Sequence, residues 1–172
     1  GSGKTYLASA LGVAAARNGH TLRYYRISRL LHSLGIARQD GSLIKLLRTL
    51  AKTKLLILDD WMRDTITIQN AQDILDVLDD RFGHTSTLIA SQVPVTDWHL
   101  RIPDPTLADA ILDRIVYSAY SSIYKVSLSG NSEQNGVCRT LRVQFIHQLS
   151  SLPHCAASTV LGVRIHRFTH RP

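Results

Sequence analysis

Leu55-Leu56-Ile57-Leu58-Asp59-Asp60 is the stretch on which the fold turns. Four aliphatic residues ending in two acids read as a parallel strand, buried on both faces, that delivers carboxylates to one end of a sheet. Upstream, Gly1-Ser2-Gly3-Lys4-Thr5 matches the back half of the phosphate-binding motif G-x-x-x-x-G-K-[ST]. A helix-like run, Tyr6 to Arg17, follows it. Small residues there let backbone N–H groups close around phosphate oxygens at a helix N-terminus. Lys4 would reach the β- and γ-phosphates of ATP, and the Thr5 hydroxyl would bind Mg2+. Asp59 would complete the metal shell, and Asp60 would orient or deprotonate the attacking water. The bland alternatives are an unrelated Gly-Ser loop and a core strand that ends in two solvated acids.

Outward from these two motifs, helices and strands alternate. Leu7, Ala10, Leu11 and Ala14 put one apolar face on the first helix, and Gly19 is a natural stop. Thr21–Ile27 reads as a strand, Ser28 as the cap of a helix to Arg38, Asp40-Gly41 as a turn, and Ser42 as the cap of Leu43–Leu50. Ile68–Phe82 has helical period, with Ala71, Ile74, Leu75 and Leu78 inward and Asp73, Asp76 and Asp80 outward. Thr87–Ala90 is a further buried strand. It ends in Ser91-Gln92, whose amide can sense a γ-phosphate or position water. Pro105–Ala119 reads as helix and Ile123–Leu128 as the last strand. The alternation implies a three-layer α/β fold of the P-loop NTPase kind, with a parallel sheet.

The 172 residues are 44% apolar and 19% charged, enough to bury a core. No apolar run approaches the roughly 18 residues of a membrane span, and the amino end has no signal-peptide pattern. Cys138 and Cys155 are too few for a disulfide scaffold. A cytoplasmic protein with no membrane partner is expected. Charge divides the chain. Residues 1–134 carry 15 Lys and Arg against all 13 acids, whereas 135–172 carry five Arg, no Lys and no acid. The high pI therefore belongs largely to that tail.

Residues 1–132 resemble the IstB-like AAA+ ATPases, helper proteins of insertion-sequence transposition related to DnaC-type helicase loaders. The matching stretches are GSGKTYLASALG, RLLHSLGIARQDGS, LLILDDW, TLIASQVPVTDWH and DPTLADAILDRI. The resemblance implies Walker A at Lys4 and Thr5, Walker B at Asp59 and Asp60, and the sensor-1 position at Gln92. It places an arginine finger at Arg114, which would act on ATP held by a neighbouring copy and so implies a homo-oligomeric ring or filament. A surface ion pair with Asp109 or Asp113 is the structural alternative for Arg114. The implied partners are DNA and a transposase, and the implied activity is hydrolysis of ATP. A non-catalytic remnant and a small P-loop kinase are the competing readings.

Departures from the family pattern sit at both ends. Family members carry a helical region, a strand and the first half of Walker A ahead of the residue that is Gly1 here. The strand is the central one, so the fold is expected to lack it, and no lid domain is expected. Gly130-Asn131-Ser132 matches the family's terminal turn; residues 133–172 do not match. That basic tail reads as out-of-frame translation, or alternatively as an arm for DNA phosphates. Its strand-like runs, Leu141–Ile146 and Val160–Phe168, have no turn chemistry tying them to the core. Should one of them dock there, it would take the place of the missing strand.

Overall fold

The structure, a computed structural model, describes residues 4–116 in full and the backbone of 119–125 and 140–146. Aliphatic runs dictate its centre. β1 (Leu22–Arg26), β2 (Leu55–Trp61) and β3 (Ser86–Ser91) lie side by side and parallel. Helices α1 (Lys4–Arg17), α2 (Ile27–Gln39), α3 (Leu43–Lys52), α4 (Ile68–Arg81) and α5 (Pro105–Val116) cover them.

Side-chain alternation along the strands separates two cores. Leu55, Ile57, Leu88 and Ala90 pack with Leu7, Ala8 and Ala15 of α1. Leu56, Leu58 and Ile89 pack instead with residues of α2, α4 and α5, among them Leu30, Leu34, Ile74 and Ile111. Apolar side chains on both faces are what a sheet between two helical layers requires, so the three-layer expectation holds. On the α1 side the approach is close. A Cβ on Gly12 would stand 3.0 Å from Ile57 Cδ1, which explains glycine in the middle of a helix.

One buried cation ties the second layer to the sheet. Arg81, at the end of α4, is 1% exposed. Its guanidinium donates to the carbonyls of Leu50, Thr53 and Ser86 and to Thr87 Oγ1. Two of these acceptors lie at the C-terminal end of α3, where the helix dipole favours a cation.

Several boundaries differ from the sequence reading. Helix α2 begins at Ile27, with Arg26 as its cap, so Ser28 lies inside it. Burial of Ile27 in the core draws the helix start forward. Asp73 does not face solvent: it is buried, bonded to Arg38 of α2 and to Gln69. Helix α5 ends at Val116, and β4 spans Ala119–Lys125 rather than Ile123–Leu128. The larger difference is β5 (Thr140–Ile146), for which the sequence offers no tie to the core. It enters the sheet, giving the order β1-β2-β3-β5-β4. It runs antiparallel to β3 and to β4, so the sheet is mixed. Val160–Phe168 lies outside the described residues.

Candidate functional site

The chemistry gathers where α1 starts and β2 ends. Thr5 Oγ1 donates to Asp59 Oδ2 at 2.8 Å, across 54 positions of sequence. The two motifs recognised separately in the sequence are thus in contact. Asp59 is 3% exposed. Its other oxygen, Oδ1, accepts the backbone N–H of Asp60 at 2.9 Å. Lys4 opens α1 beside Thr5. Gly1, Ser2 and Gly3 lie outside the described residues.

A third group reaches the same carboxylate. Tyr24 Oη donates to Asp59 Oδ2 at 2.5 Å. The strand register explains this: Arg26 is opposite Asp59, and Tyr24, two residues back, shares that face of β1. The Tyr24 hydroxyl is pushed up to about 12, by burial first and then by its bond to Asp59 and the charge of that carboxylate. Since the folded value lies above the usual 10.0, this contribution to stability is present below pH 10 and fades as pH rises towards 12. Tyrosinate absorbance, wild type minus Tyr24→Phe, should therefore show one phenol ionising near pH 12. A difference curve centred near pH 10 would remove the Tyr24–Asp59 contact.

Asp60 is held differently. A bulge between Leu58 and Trp61 breaks the β2–β3 register, and Asp60 and Met62 take φ of 57° and 52°. Positive φ at two non-glycine residues is costly and concentrates at functional sites. The bulge turns Asp60 out of the strand, where Arg63 Nη1 stands at 3.6 Å and Arg26 Nε at 3.9 Å from Oδ2. Beneath it, Trp61 and Trp98 are fully buried and meet edge to face, ring centroids 5.9 Å apart. Ser91 Oγ donates to the Trp61 carbonyl at 2.7 Å, fastening the end of β3 to the bulge. Gln92, the next residue, is exposed at this same end of the sheet.

Arg114 is elsewhere. Its Nε donates to Asp79 Oδ1 of α4 at 2.8 Å, and its guanidinium stands 5.6 Å from the centroid of Phe82. The sequence reading offers Asp109 or Asp113 as ion-pair partners; the partner is Asp79, and Asp109 pairs with His99 instead.

Thr5 and Asp59 offer a hydroxyl and a carboxylate in contact, a hard oxygen set of the kind that suits Mg2+ shared with phosphate oxygens. Among the described residues there is no group of three or more His, Cys, Asp or Glu placed to hold a metal. Tyr24, Arg26 and Arg63 were missed by sequence reasoning. Two basic residues flank two aromatics in Arg23-Tyr24-Tyr25-Arg26, a pattern that marks the segment carrying two of the three but not the partners they meet.

Comparison with known proteins agrees with this geometry. Residues 1–135 match the family model described as IstB-like ATP binding protein. An insertion-sequence ATP-binding protein of Sinorhizobium fredii is 47% identical over 132 residues, 77% of this chain and 52% of that protein. One of Pseudomonas fluorescens is 47% identical over 94 residues, 55% of this chain and 41% of its own length. One of Pseudomonas aeruginosa is 34% identical over 117 residues, 68% and 44% respectively. The chain spans about half the length of the curated relatives it matches. No helix of the described residues is long and apolar enough to cross a membrane.

Proposed function

Because the chain belongs to the IstB-like ATP-binding proteins of insertion sequences, we propose that it binds Mg2+·ATP at the junction of α1 and β2 and serves DNA transposition as an ATP-hydrolysing helper. The contact of Thr5 with Asp59 is the observation that carries this reading, because it joins a phosphate-loop hydroxyl to a buried strand-end carboxylate. Lys4 engages the phosphates. Thr5 and Asp59 hold the ion, which supplies positive charge against the phosphate oxygens when bound. Asp60 accepts a proton from the water that attacks the γ-phosphorus, and the bond to the β–γ bridging oxygen breaks to release ADP and phosphate. Gln92 steadies the reacting end. Arg114 leaves Asp79 to reach ATP on an adjoining copy in a ring or filament. Calorimetry of ATP against wild type and Lys4→Ala tests the site, since equal affinities would remove the phosphate-loop reading.

DNA as partner is supported by charge. Between residues 20 and 54 there are eight Lys and Arg and a single acid, Asp40. All eight basic side chains are exposed. On α3, Lys45, Arg48 and Lys52 follow the spacing of one helical stripe. Neutralising these three with Gln should lower the slope of log affinity against log salt by up to about 3, at ~0.9 per phosphate contact. An unchanged slope would move the DNA contact off this helix. Through that assembly on DNA, the protein would regulate the transposase of the same element.

A further inference from the structure

Two hydroxyls meet on one oxygen of Asp59. Oδ2 accepts Thr5 Oγ1 at 2.8 Å and Tyr24 Oη at 2.5 Å, while Oδ1 accepts the Asp60 backbone N–H at 2.9 Å. The Tyr24 distance is that of a charge-assisted bond to a carboxylate. Each carboxylate oxygen has about two lone pairs, so two donors fill Oδ2. Thr5 gives its one hydrogen to this oxygen and keeps its own lone pairs for an ion. Tyr24 has no such second use at the site. It reaches Asp59 from β1, 35 positions away, and only to donate.

Packing does not account for a phenol at position 24. Leu22, two residues earlier on the same face of β1, packs into the core beneath α1, whereas Tyr24 is 37% exposed. Tyr25, on the other face, shows the ordinary use of the residue: its ring packs against the larger core and its hydroxyl accepts from Arg23 at the surface. Asp59, by contrast, is buried, so the direction of its two oxygens is set by the protein groups that bond them.

A carboxylate fixed in this way discriminates between ions. Mg2+ demands near-octahedral geometry, keeps several waters and is satisfied by few carboxylate contacts. Ca2+ takes more oxygens in looser geometry and commonly grips both oxygens of one carboxylate. With Oδ2 filled, a two-oxygen grip on Asp59 requires a donor to leave. We propose that Tyr24 is a positioning residue for Asp59, and that by occupying Oδ2 it denies the carboxylate a two-oxygen grip and so selects Mg2+ over Ca2+ as the ion bound with the nucleotide. The proposal rests on the ATP-site reading above and adds to it the residue that sets ion specificity.

Calorimetry of ATP against the full chain, with EDTA, with Mg2+ and with Ca2+, tests it. In wild type the gain in ATP affinity from Mg2+ should exceed that from Ca2+ at least about tenfold. Tyr24→Phe removes one hydroxyl and keeps the ring. It should leave metal-free ATP affinity within about twofold and reduce the Mg2+ gain about tenfold, the scale of losing a group that orients a metal ligand. The Ca2+ gain should hold or rise, so the preference for Mg2+ collapses. Tyr25→Phe should keep all three affinities.

Equal gains from Mg2+ and Ca2+ in wild type overturn the proposal without any variant. An unchanged Mg2+ to Ca2+ ratio in Tyr24→Phe overturns it too, and if Thr5→Ala abolishes the Mg2+ gain in the same series, the ATP-site reading stands without it. A fall in metal-free affinity and in the urea midpoint, with the ratio kept, assigns Tyr24 a structural role only and likewise overturns it. Wild type that binds no ATP under any of the three conditions removes the nucleotide reading and this proposal together.

Discussion

Asp60→Asn is expected to leave Mg2+·ATP bound and to slow its hydrolysis about a hundredfold or more, the scale of losing a positioned base. The substitution is clean for a structural reason. Position 60 has φ of 57°, a conformation that asparagine adopts more readily than most residues. The bulge, the bond from the residue-60 N–H to Asp59 and the burial of Trp61 should therefore persist. What is lost is the carboxylate, and with it the ion pairs to Arg26 and Arg63. Both arginines are more than half exposed, so solvent screens these pairs and their loss should cost little stability. Phosphate release at saturating ATP, with calorimetric affinity measured in parallel, separates the two effects. Unchanged turnover would assign water activation to another group. A wild type that binds ATP without turnover would confine the protein to nucleotide binding.

Arg81→Met should be the most damaging single change to stability. Methionine keeps much of the volume and removes every donor. Four acceptors then lose the guanidinium: the carbonyls of Leu50, Thr53 and Ser86, and Thr87 Oγ1, of which the Leu50 carbonyl still accepts the Thr53 N–H at 3.1 Å. At about 1–3 kcal/mol for each buried polar group left unsatisfied, partial relaxation still leaves a loss of roughly 3 kcal/mol or more. Burial already holds the guanidinium down to about 10, which leaves it charged at neutral pH. Arg81→Lys should rescue only in part, because one ammonium cannot span acceptors on α3 and β3 together. Urea denaturation midpoints would show it. A loss below about 1 kcal/mol for Arg81→Met would mean that the cage closes without the cation.

How far the sequence could be read depended on whether a residue's role was local. Leu55–Leu58 announced a central strand because four aliphatics in a row fit only a position covered on both faces. Lys4, Thr5, Asp59 and Asp60 were picked out by motif chemistry, and the fold sets the Thr5 hydroxyl against the Asp59 carboxylate. Tyr24 was not legible, since a strand tyrosine ordinarily reads as packing and its partner lies 35 positions away. Asp73 looked solvent-facing because helical period says nothing of Arg38 arriving from another helix. The Asp79 partner of Arg114 is hidden for the same reason. Strand β5 was hardest. Its alternation suits a strand anywhere, and nothing in those seven residues specifies which edge will accept them.

The antiparallel seat of β5 is a matter of polarity. A sheet position bounded by two strands asks its occupant for backbone groups and side-chain alternation, and a segment of seven residues with that rhythm supplies both whichever way it runs.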